Sequence, residues 1–250
     1  MNKKVMVGMS GGVDSAVSAY LLLKDSYEPT GVNCRFFDNG DAFIKEKTCC
    51  SLEDSKDARS VAYKLGIPFY VFNFTDDFRE KVIGNFIEVY TEGGTPNPCI
   101  ECNRFLKFDK LLKRALELDH SFVATGHYAR NEFDEISGRY LLKKGLDETK
   151  DQSYVLYMLT QFQLEHTLFP LGSLRKTEVR AIAEENGFVN AKKHESQDIC
   201  FVPDGDYAAF IEKSLGRTFP CGSFVDREGN VLGTHKGIIR YTIGQRRGLG

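Results

Sequence analysis

Two groups of residues in this chain have types and spacings that could support chemistry. The first is the loop SGGVDS, from Ser10 to Ser15, which follows an apolar run and precedes a helix-like segment. The second is a set of cysteines, in which Cys99 and Cys102 form a C-x-x-C and Cys200 stands alone in ESQDICFVPDG. Glycine-rich loops before helices bind phosphate, and thiols beside cations are nucleophilic. The sequence therefore suggests a phosphate site and sulfur chemistry in one chain.

The loop predicts an anion site at a strand-to-helix connection. Free N–H groups of a first helical turn point into such a loop, and the helix dipole favours negative charge there. Gly11 and Gly12 allow close backbone approach, Ser10 and Ser15 add hydroxyl donors, and Asp14 is a candidate ligand for Mg²⁺ between phosphates. The spacing matches neither G-x-x-x-x-G-K-[ST] nor G-x-G-x-x-G. The alternative is a plain turn in which Ser10 caps the helix.

The C-x-x-C predicts a reactive thiol at the start of a helix. We expect that helix to begin at Asn103 or Arg104, which would place Cys102 at its N-terminus beside Arg104 and Lys107 and lower the thiol pKa.

Metal binding is the alternative for these cysteines. A structural zinc site needs four ligands, but Cys49 and Cys50 are adjacent rather than spaced, and the chain has no paired histidines. An iron–sulfur cluster with Cys99, Cys102 and Cys200 as three ligands remains open. Taken by itself, Cys200 among apolar neighbours is typical of an inert buried thiol.

Alternating strand-like and helix-like runs predict the elements that position these residues. The pattern favours a Rossmann-like α/β fold over residues 1–203, with a parallel sheet covered by helices on both faces. Strands are expected at 5–7, 30–37, 68–74 and 122–125, and helices at 16–24, 52–65, 77–90 and 104–118. Residues 204–250 predict a small β-rich module, with two strands around a Gly-Asn turn and a further β-like run, GIIRYTIGQRRGLG.

Composition limits the class of protein. The chain is 42% hydrophobic and 27% charged, which is typical of a globular protein, and it contains no apolar run long enough to span a membrane. Its start lacks a secretory signal, and seven cysteines without such a signal favour reactive thiols in a reducing cytoplasm. The net charge of −2 gives no global argument for nucleic-acid binding. The last twenty residues, however, carry Lys236, Arg240, Arg246 and Arg247 without any acidic residue.

A family resemblance covers nearly the whole chain in order. The loop alone resembles the pyrophosphate loop of the ATP pyrophosphatases, or PP-loop proteins, whose fold is adenine nucleotide alpha hydrolase-like. Together, the motifs are similar to those of the bacterial and mitochondrial tRNA-specific 2-thiouridylase family. They are GMSGGVDS, CCSLED, TPNPCIECNRFLKF, ATGHYAR, KDQSYVLYMLTQFQL, LFPLG, SQDICF, GDYAAFI and YTIGQRRGLG.

The resemblance implies a function and a set of site residues. The reaction would be ATP-dependent 2-thiolation of the wobble uridine of tRNA, in which the base O2 is adenylated and sulfur comes from a persulfide on Cys200. Cys102 would be the nucleophile that resolves this persulfide through a transient disulfide, or that releases hydrosulfide before attack on the base. The expected ATP contacts are Gly8, Met9, Ser10, Gly11, Gly12, Val13, Asp14, Ser15, Cys34 and Gly126. The expected tRNA contacts are Asn97, Pro98, Cys99, His127, Lys150, Asp151 and Gln152.

Further expectations follow from the resemblance. Residues 1–203 would form the PP-loop catalytic domain, and residues 204–250 a tRNA-contacting module. The family continues past GQRRGLG into a further β-barrel, so we expect either a fragment or a shortened member with reduced tRNA affinity and activity. The expected partners are tRNA and a cysteine desulfurase or sulfur relay protein, and the expected form is a cytoplasmic monomer with ATP and Mg²⁺.

Two positions depart from the family pattern. Cys99 stands where some members have Asp. A cysteine at this position is less suited to general acid–base catalysis than Asp and better suited to ligating an iron–sulfur cluster. Cys34 stands where Met is common, beside the expected adenine position. The competing functions are an iron–sulfur-dependent tRNA sulfurtransferase, another PP-loop ligase or amidotransferase, and a non-enzymatic cluster-binding or nucleotide-binding module.

Overall fold

A five-stranded parallel sheet forms the centre of the protein. The computed structural model describes residues 2–37, 52–193, 199–202 and 204–249. Within these residues the sheet has the order β3-β2-β1-β4-β7. Its strands are β1 (Lys4–Gly8), β2 (Glu28–Arg35), β3 (Phe69–Asn73), β4 (Phe122–Ala124) and β7 (Thr167–Leu168). Two antiparallel pairs lie outside it: β5 (Ala129–Asp134) with β6 (Arg139–Lys144), and β8 (Gly222–Val225) with β9 (Val231–His235).

The helices alternate with these strands along the chain. They are α1 (Val13–Lys24), α2 (Leu52–Leu65), α3 (Thr75–Phe78), α4 (Asn85–Thr91), α5 (Pro98–Glu101), α6 (Leu111–Glu117), α7 (Gln161–Glu165), α8 (Lys176–Glu185) and α9 (Tyr207–Leu215). Two π-helical segments, Arg79–Gly84 and Cys102–Lys110, join α3 to α4 and α5 to α6. We call the continuous run over residues 98–117 the cysteine helix. No described helix is both long enough and apolar enough to cross a membrane.

The central strand shows why the sheet is covered on both faces. Val5 and Val7 of β1 belong to an apolar cluster with α1, α2 and α8, whereas Met6 belongs to a second cluster with the cysteine helix and α9. All three side chains are fully buried. Since successive side chains of a strand point to opposite faces, a continuous apolar strand of this kind must be packed on both sides. The predicted Rossmann-like architecture is confirmed.

Two sequence predictions about local structure are wrong. The run after β9 is not β-like, because Ile238–Arg240 forms a 3-10 helix whose Ile239 is buried and the described residues beyond it are irregular. The cysteine helix begins at Pro98 rather than at Asn103 or Arg104. Asn97 caps it by accepting a hydrogen bond from the Cys99 N–H at 3.1 Å. Proline is well suited to the first helical position, because a backbone N–H there would have no hydrogen-bond acceptor within the helix.

Phe201 anchors the segment that carries Cys200. Its ring is fully buried, and its centroid lies 5.1 Å from that of Phe86, 5.3 Å from Phe210 and 5.8 Å from Phe78. Cys200 packs against the same apolar cluster at its partly exposed edge. The packing of Phe201 therefore determines where the neighbouring thiol lies.

Replacing this ring should destabilise the fold strongly. Phe201→Ala is expected to lower the free energy of unfolding by about 3–5 kcal/mol, because the deleted ring leaves a cavity among three other aromatic rings. The measurement is urea unfolding followed by circular dichroism. Tyr63→Ala is the control, since that ring is 88% exposed, and its effect should stay within about 0.5 kcal/mol. Equal effects of the two substitutions would contradict the described packing.

Candidate active site

The candidate site lies where the strand order reverses. Chain order runs outward from β1 to β2 and β3, and then returns to place β4 on the other side of β1. The carboxyl ends of β1 and β4 are therefore neighbours, with Val7 paired to Ala124. Open parallel sheets bind their ligands in the crevice at this kind of switch point. The SGGVDS loop follows β1 and the TGHY segment follows β4, so the topology brings these two motifs together.

The SGGVDS loop leaves the first turn of α1 without a side-chain cap. The N-cap residue is Gly12, and no side chain accepts a hydrogen bond from the first-turn N–H groups there. Ser10, the cap of the simple-turn alternative, is exposed instead, and its N–H donates to Ser15 Oγ at 3.3 Å. Uncapped N–H groups and the positive end of the helix dipole favour an anion at this position.

Gly11 is required by the way the loop packs. Its φ is +83°, and a Cβ at this position would lie only 2.3 Å from the backbone oxygen of Asp54 at the start of α2. The Gly11 carbonyl accepts a hydrogen bond from Asn190 Nδ2 at 3.0 Å. The loop is therefore held from outside by two neighbouring elements, which leaves its amide side for a ligand.

Gly126 gives the second close approach. A Cβ there would lie 2.9 Å from the Asp14 Cβ, the Asp14 carbonyl carbon and the Ser15 nitrogen. The backbone after β4 thus touches the first turn of α1, and any other residue would push the two apart.

Asp14 forms a partly buried ion pair and does not fit a Mg²⁺ site. Lys176 Nζ, at the start of α8, lies 2.7 Å from Asp14 Oδ1 and 2.8 Å from Oδ2, and Tyr128 donates its hydroxyl to Oδ1 at 2.8 Å. Lys176 is 7% exposed. Because both carboxylate oxygens already accept hydrogen bonds from a buried ammonium group, a divalent cation would have to displace it. The prediction of Asp14 as a metal ligand is not supported by this arrangement.

A cleft opens between the loop, the end of β2 and the end of β4. Its cavity volume is about 210 Å³, and it is open to solvent. Nine of the residues predicted to contact ATP or tRNA line it: Gly8, Met9, Ser10, Asp14, Ser15, Cys34, Gly126, His127 and Gln152. Val32, Asn33, Phe36, Lys107, Leu111 and Thr125 complete the lining among the described residues.

His127 is a neutral wall residue of the cleft. Its Nδ1 lies 2.7 Å from the Thr125 hydroxyl, and its ring packs at 5.9 Å from Phe108 and 6.3 Å from Phe169. Burial holds the pKa of His127 well below its usual range, and the positive charge of Lys107 lowers it further. The imidazole is therefore uncharged at neutral pH, and Lys107 carries the positive charge on this wall.

Cys34 connects the cleft to the C-x-x-C. The pKa of the Cys34 thiol is raised to about 12, chiefly by burial and then by its electrostatic interaction with the Cys102 thiol, while Lys107 lowers it. Cys34 packs against the apolar cluster in which Cys102 is buried, and Lys107 lines the same cleft as Cys34. Cys102 is buried and does not itself line the cleft. The nucleophile candidate thus lies behind the cleft wall, next to one of its lining residues.

The other cysteines differ in exposure. Cys99 is exposed, and Cys200 is partly exposed at the edge of the apolar cluster that also contains Cys102. Among residues 2–37, 52–193, 199–202 and 204–249, no three His, Cys, Asp or Glu side chains lie close enough to hold a metal ion. Cys99, Cys102 and Cys200 therefore do not fit an iron–sulfur cluster in this arrangement, because Cys99 points to solvent while Cys102 is in the core. Cys49, Cys50 and Asp198 lie outside the described residues.

Comparisons with known proteins agree with this geometry. A family model described as tRNA methyl transferase HUP domain matches residues 3–204, and one described as tRNA methyl transferase PRC-barrel domain matches residues 208–250. The chain is 56% identical over 250 residues to the tRNA-specific 2-thiouridylase MnmA of Clostridioides difficile (strain 630), covering 100% of this chain and 69% of that protein. The corresponding protein of Clostridium acetobutylicum is 54% identical over 252 residues, with 70% of it covered.

The chain belongs to the tRNA-specific 2-thiouridylase family.

A solved structure supports the fold. A 4-thiouridine synthetase in complex with RNA and bound ATP superposes with a TM-score of 0.51 at 16% identity, over 85% of this chain and 50% of that one. At this identity the likeness shows the PP-loop fold, and it transfers no residue roles.

Some predicted contacts of this 2-thiouridylase chain lie outside the cleft. Asp151 holds its own loop, since its carboxylate accepts hydrogen bonds from the Gly145 N–H at 2.9 Å and from the Ser153 hydroxyl at 2.9 Å. In the described part of the chain, the remaining predicted residues that do not line the cleft are Gly11, Gly12, Val13, Asn97, Pro98, Cys99 and Lys150. Their predicted ligand contacts stay predictions.

Sequence reasoning missed several residues of the site. Asn33 is buried and donates to the Met9 carbonyl at 2.8 Å, which fixes the start of the loop against β2. Thr125 and Tyr128 flank the predicted Gly126 and His127 within one motif, and that proximity could have indicated them. Lys176 had no such signal, because it is 162 positions from Asp14.

Gly126→Ala should impair nucleotide binding without unfolding the protein. The added methyl group forces the first turn of α1 away from β4, so the dissociation constant for ATP is expected to rise at least tenfold. Isothermal titration calorimetry measures it, with circular dichroism as the check on folding. Gly138→Ala, in the β5–β6 turn with open space around its Cβ, is the control. Unchanged ATP affinity in Gly126→Ala would show that this contact does not shape the nucleotide site.

The neutral state of His127 predicts a pH dependence of stability. Its pKa is lower in the folded chain than the value of about 6.5 in the unfolded chain, so below that pH only the unfolded chain takes up the proton. Relative to His127→Gln, the protein should lose stability as the pH falls from about 7 to 5.5, by up to about 1.4 kcal/mol per pH unit. Urea unfolding at a series of pH values measures this. Parallel stability profiles for the two proteins would contradict a depressed pKa.

Proposed function

We propose that this protein catalyses ATP-dependent 2-thiolation of a uridine in tRNA. The observation that carries the proposal is a cleft, built on the SGGVDS loop, whose lining residue Cys34 packs against the apolar cluster that buries Cys102. A family relationship at more than half identity supports the same reaction class. ATP and tRNA are the substrates in this proposal.

ATP fits the cleft in one orientation. Its β- and γ-phosphates would lie at the uncapped first turn of α1, where Ser10 and Ser15 add hydroxyl donors. The adenosine would lie toward Val32 and Cys34 at the end of β2, and the α-phosphate between the two ends. In this orientation the α-phosphorus faces the side of the cleft that borders the cysteine helix.

Adenylation is the first chemical step. The uracil O2 attacks the α-phosphorus, the bond between the α-phosphorus and the bridging oxygen breaks, and pyrophosphate leaves with the electron pair. The base loses its N3 proton to solvent, which keeps the product neutral at the ring. AMP is then bonded to O2, which has become a leaving group.

Sulfur transfer follows at C2 of the base. The terminal sulfur of a Cys200 persulfide attacks C2, the C2–O2 bond breaks, and AMP leaves with the oxygen. The Cys102 thiolate then attacks the Cys200 sulfur, so that the thiolated base is released and a Cys102–Cys200 disulfide remains. An external dithiol reduces this disulfide with two electrons. A persulfide-donating protein, such as a cysteine desulfurase or a sulfur relay protein, would reload Cys200.

The C-terminal module offers a surface for the tRNA backbone. Lys236, Arg246 and Arg247 are exposed. Arg240 differs from them, because its Nη2 lies 2.9 Å from Glu212 Oε2 and this ion pair compensates its charge. Clustered exposed cations bind phosphate without reading sequence, so tRNA affinity should fall with rising salt.

Replacing Cys200 or Cys102 should separate adenylation of the tRNA from the sulfur-transfer steps. With tRNA, ATP and a persulfide donor, Cys200→Ala should form no 2-thiouridine but should still release pyrophosphate and form AMP-linked tRNA. Cys102→Ala should trap a covalent adduct in which Cys200 is joined to the base through two sulfur atoms. Mass spectrometry of nucleosides and of intact protein–RNA species measures both products.

Two outcomes would contradict parts of this scheme. Thiolated product from Cys200→Ala would remove Cys200 as the sulfur carrier. A Cys102→Ala protein that keeps its persulfide and forms no adduct would instead support release of hydrosulfide before attack on the base. Cys221→Ala is the matched control, because that thiol is exposed and lies next to β8, and its activity should be unchanged.

A further inference from the structure

The cysteine helix contributes to the nucleotide cleft as well as carrying the thiols. Lys107 and Leu111, four residues apart on this helix, both line the cleft. The segment Cys102–Lys110 is π-helical, so its hydrogen bonds join residues five apart. Cys102 and Lys107 have this spacing, which in a π-helix brings them one turn apart on similar faces. A regular α-helix would rotate them well away from each other.

The charges around the cleft make Lys107 distinctive. Among the described residues that line it, Lys107 is the only lysine or arginine and Asp14 is the only carboxylate. The Asp14 charge is already compensated by Lys176, with which it forms two contacts shorter than 3 Å. His127 is neutral, because burial and the charge of Lys107 lower its pKa. A triphosphate in this cleft therefore meets the positive end of α1 at one side and Lys107 at the other.

The position of Lys107 favours one phosphate. Lys107 and the SGGVDS loop belong to different walls of the cleft, since Lys107 comes from the cysteine helix and the loop follows β1. The β- and γ-phosphates would lie at the loop. Lys107 lies instead near Cys34 and His127, both of which are within range of its charge. Cys34 also packs against the apolar cluster that buries Cys102, and in the proposed orientation of ATP the α-phosphorus faces this wall.

We propose that Lys107 is a catalytic residue of the adenylation step, in which its ammonium group contacts the α-phosphate. This inference rests on the proposed function. As O2 attacks the α-phosphorus, negative charge grows on the equatorial phosphate oxygens, and a fixed cation there stabilises the transition state. Lys107 keeps its proton throughout: it supplies charge, and the N3 proton of the base leaves to solvent. One helix thus carries both the cation for adenylation and the thiol for sulfur release.

The test separates adenylation from sulfur transfer. In a Cys200→Ala background, single-turnover formation of AMP-linked tRNA from ATP labelled at the α-phosphate should fall about 100-fold in Lys107→Met. The dissociation constant for ATP should change by less than about fivefold. Lys107→Arg should stay within about tenfold of the parent. Lys113→Met is the control, because Lys113 is 69% exposed and paired to Asp109, and it should adenylate at the parental rate.

Two results with the Lys107 variant would overturn the inference, and one result with the parent would overturn the proposed function. Adenylation by Lys107→Met within threefold of the parent overturns the inference, and so does a loss confined to thiolation in the Cys200-containing protein, which would assign Lys107 to the thiol chemistry. Failure of the Cys200→Ala parent itself to adenylate tRNA overturns the proposed function.

A measurement on the unmutated protein covers the case in which Lys107→Met does not fold. ATP should slow acylation of Lys107 by an amine-reactive ester at least fivefold, while acylation of Lys113 stays unchanged. Equal protection of both lysines, or of neither, overturns the inference.

Discussion

The site depends on the contact between the backbone after β4 and the first turn of α1. Gly126 lies so close to Asp14 and Ser15 that a single additional carbon atom would not fit. This contact joins the two chain segments that leave the sheet at its switch point. It also orients the uncapped first turn of α1 toward the cleft.

Ion pairs hold the outer side of the loop. Lys176 binds Asp14 within the first turn of α1, and Lys193 binds Asp54 at 2.7 Å and Asp57 at 2.6 Å in α2. Asp54 also presses its backbone against Gly11. Partly buried pairs of this kind cost desolvation energy and are poor evidence for stability, but they fix geometry. They compensate the charges of these acidic side chains, including Asp14, which lines the cleft.

The Cys102 and Cys200 thiols differ in how deeply they are buried. Cys102 is enclosed in the apolar cluster and Cys200 lies at its edge beside the buried Phe201. The Cys200 thiol is therefore partly reachable from solvent, whereas the Cys102 thiol is buried. The π-helical segment that begins at Cys102 also carries Lys107, which lines the cleft. Nucleotide chemistry and sulfur chemistry thus share one wall of the protein.

The sequence by itself determined the local elements and the types of chemistry. Alternating apolar runs predicted the first four strands and the parallel sheet, and SGGVDS predicted an anion site, because periodicity and glycine content are local properties. The motifs also indicated the family. Helix starts were harder, as the Asn97–Pro98 cap shows, because the cap depends on one side-chain hydrogen bond.

The tertiary structure alone decided which distant residues meet. The pairing of Asp14 with Lys176 across 162 positions, the loss of a free carboxylate for Mg²⁺, and the place of Lys107 in the cleft all follow from how the sheet stacks its helices. The separation of exposed Cys99 from buried Cys102 follows from the same packing. Spacing along the chain cannot reveal such contacts, since burial and ion pairing depend on what folding brings to each side chain.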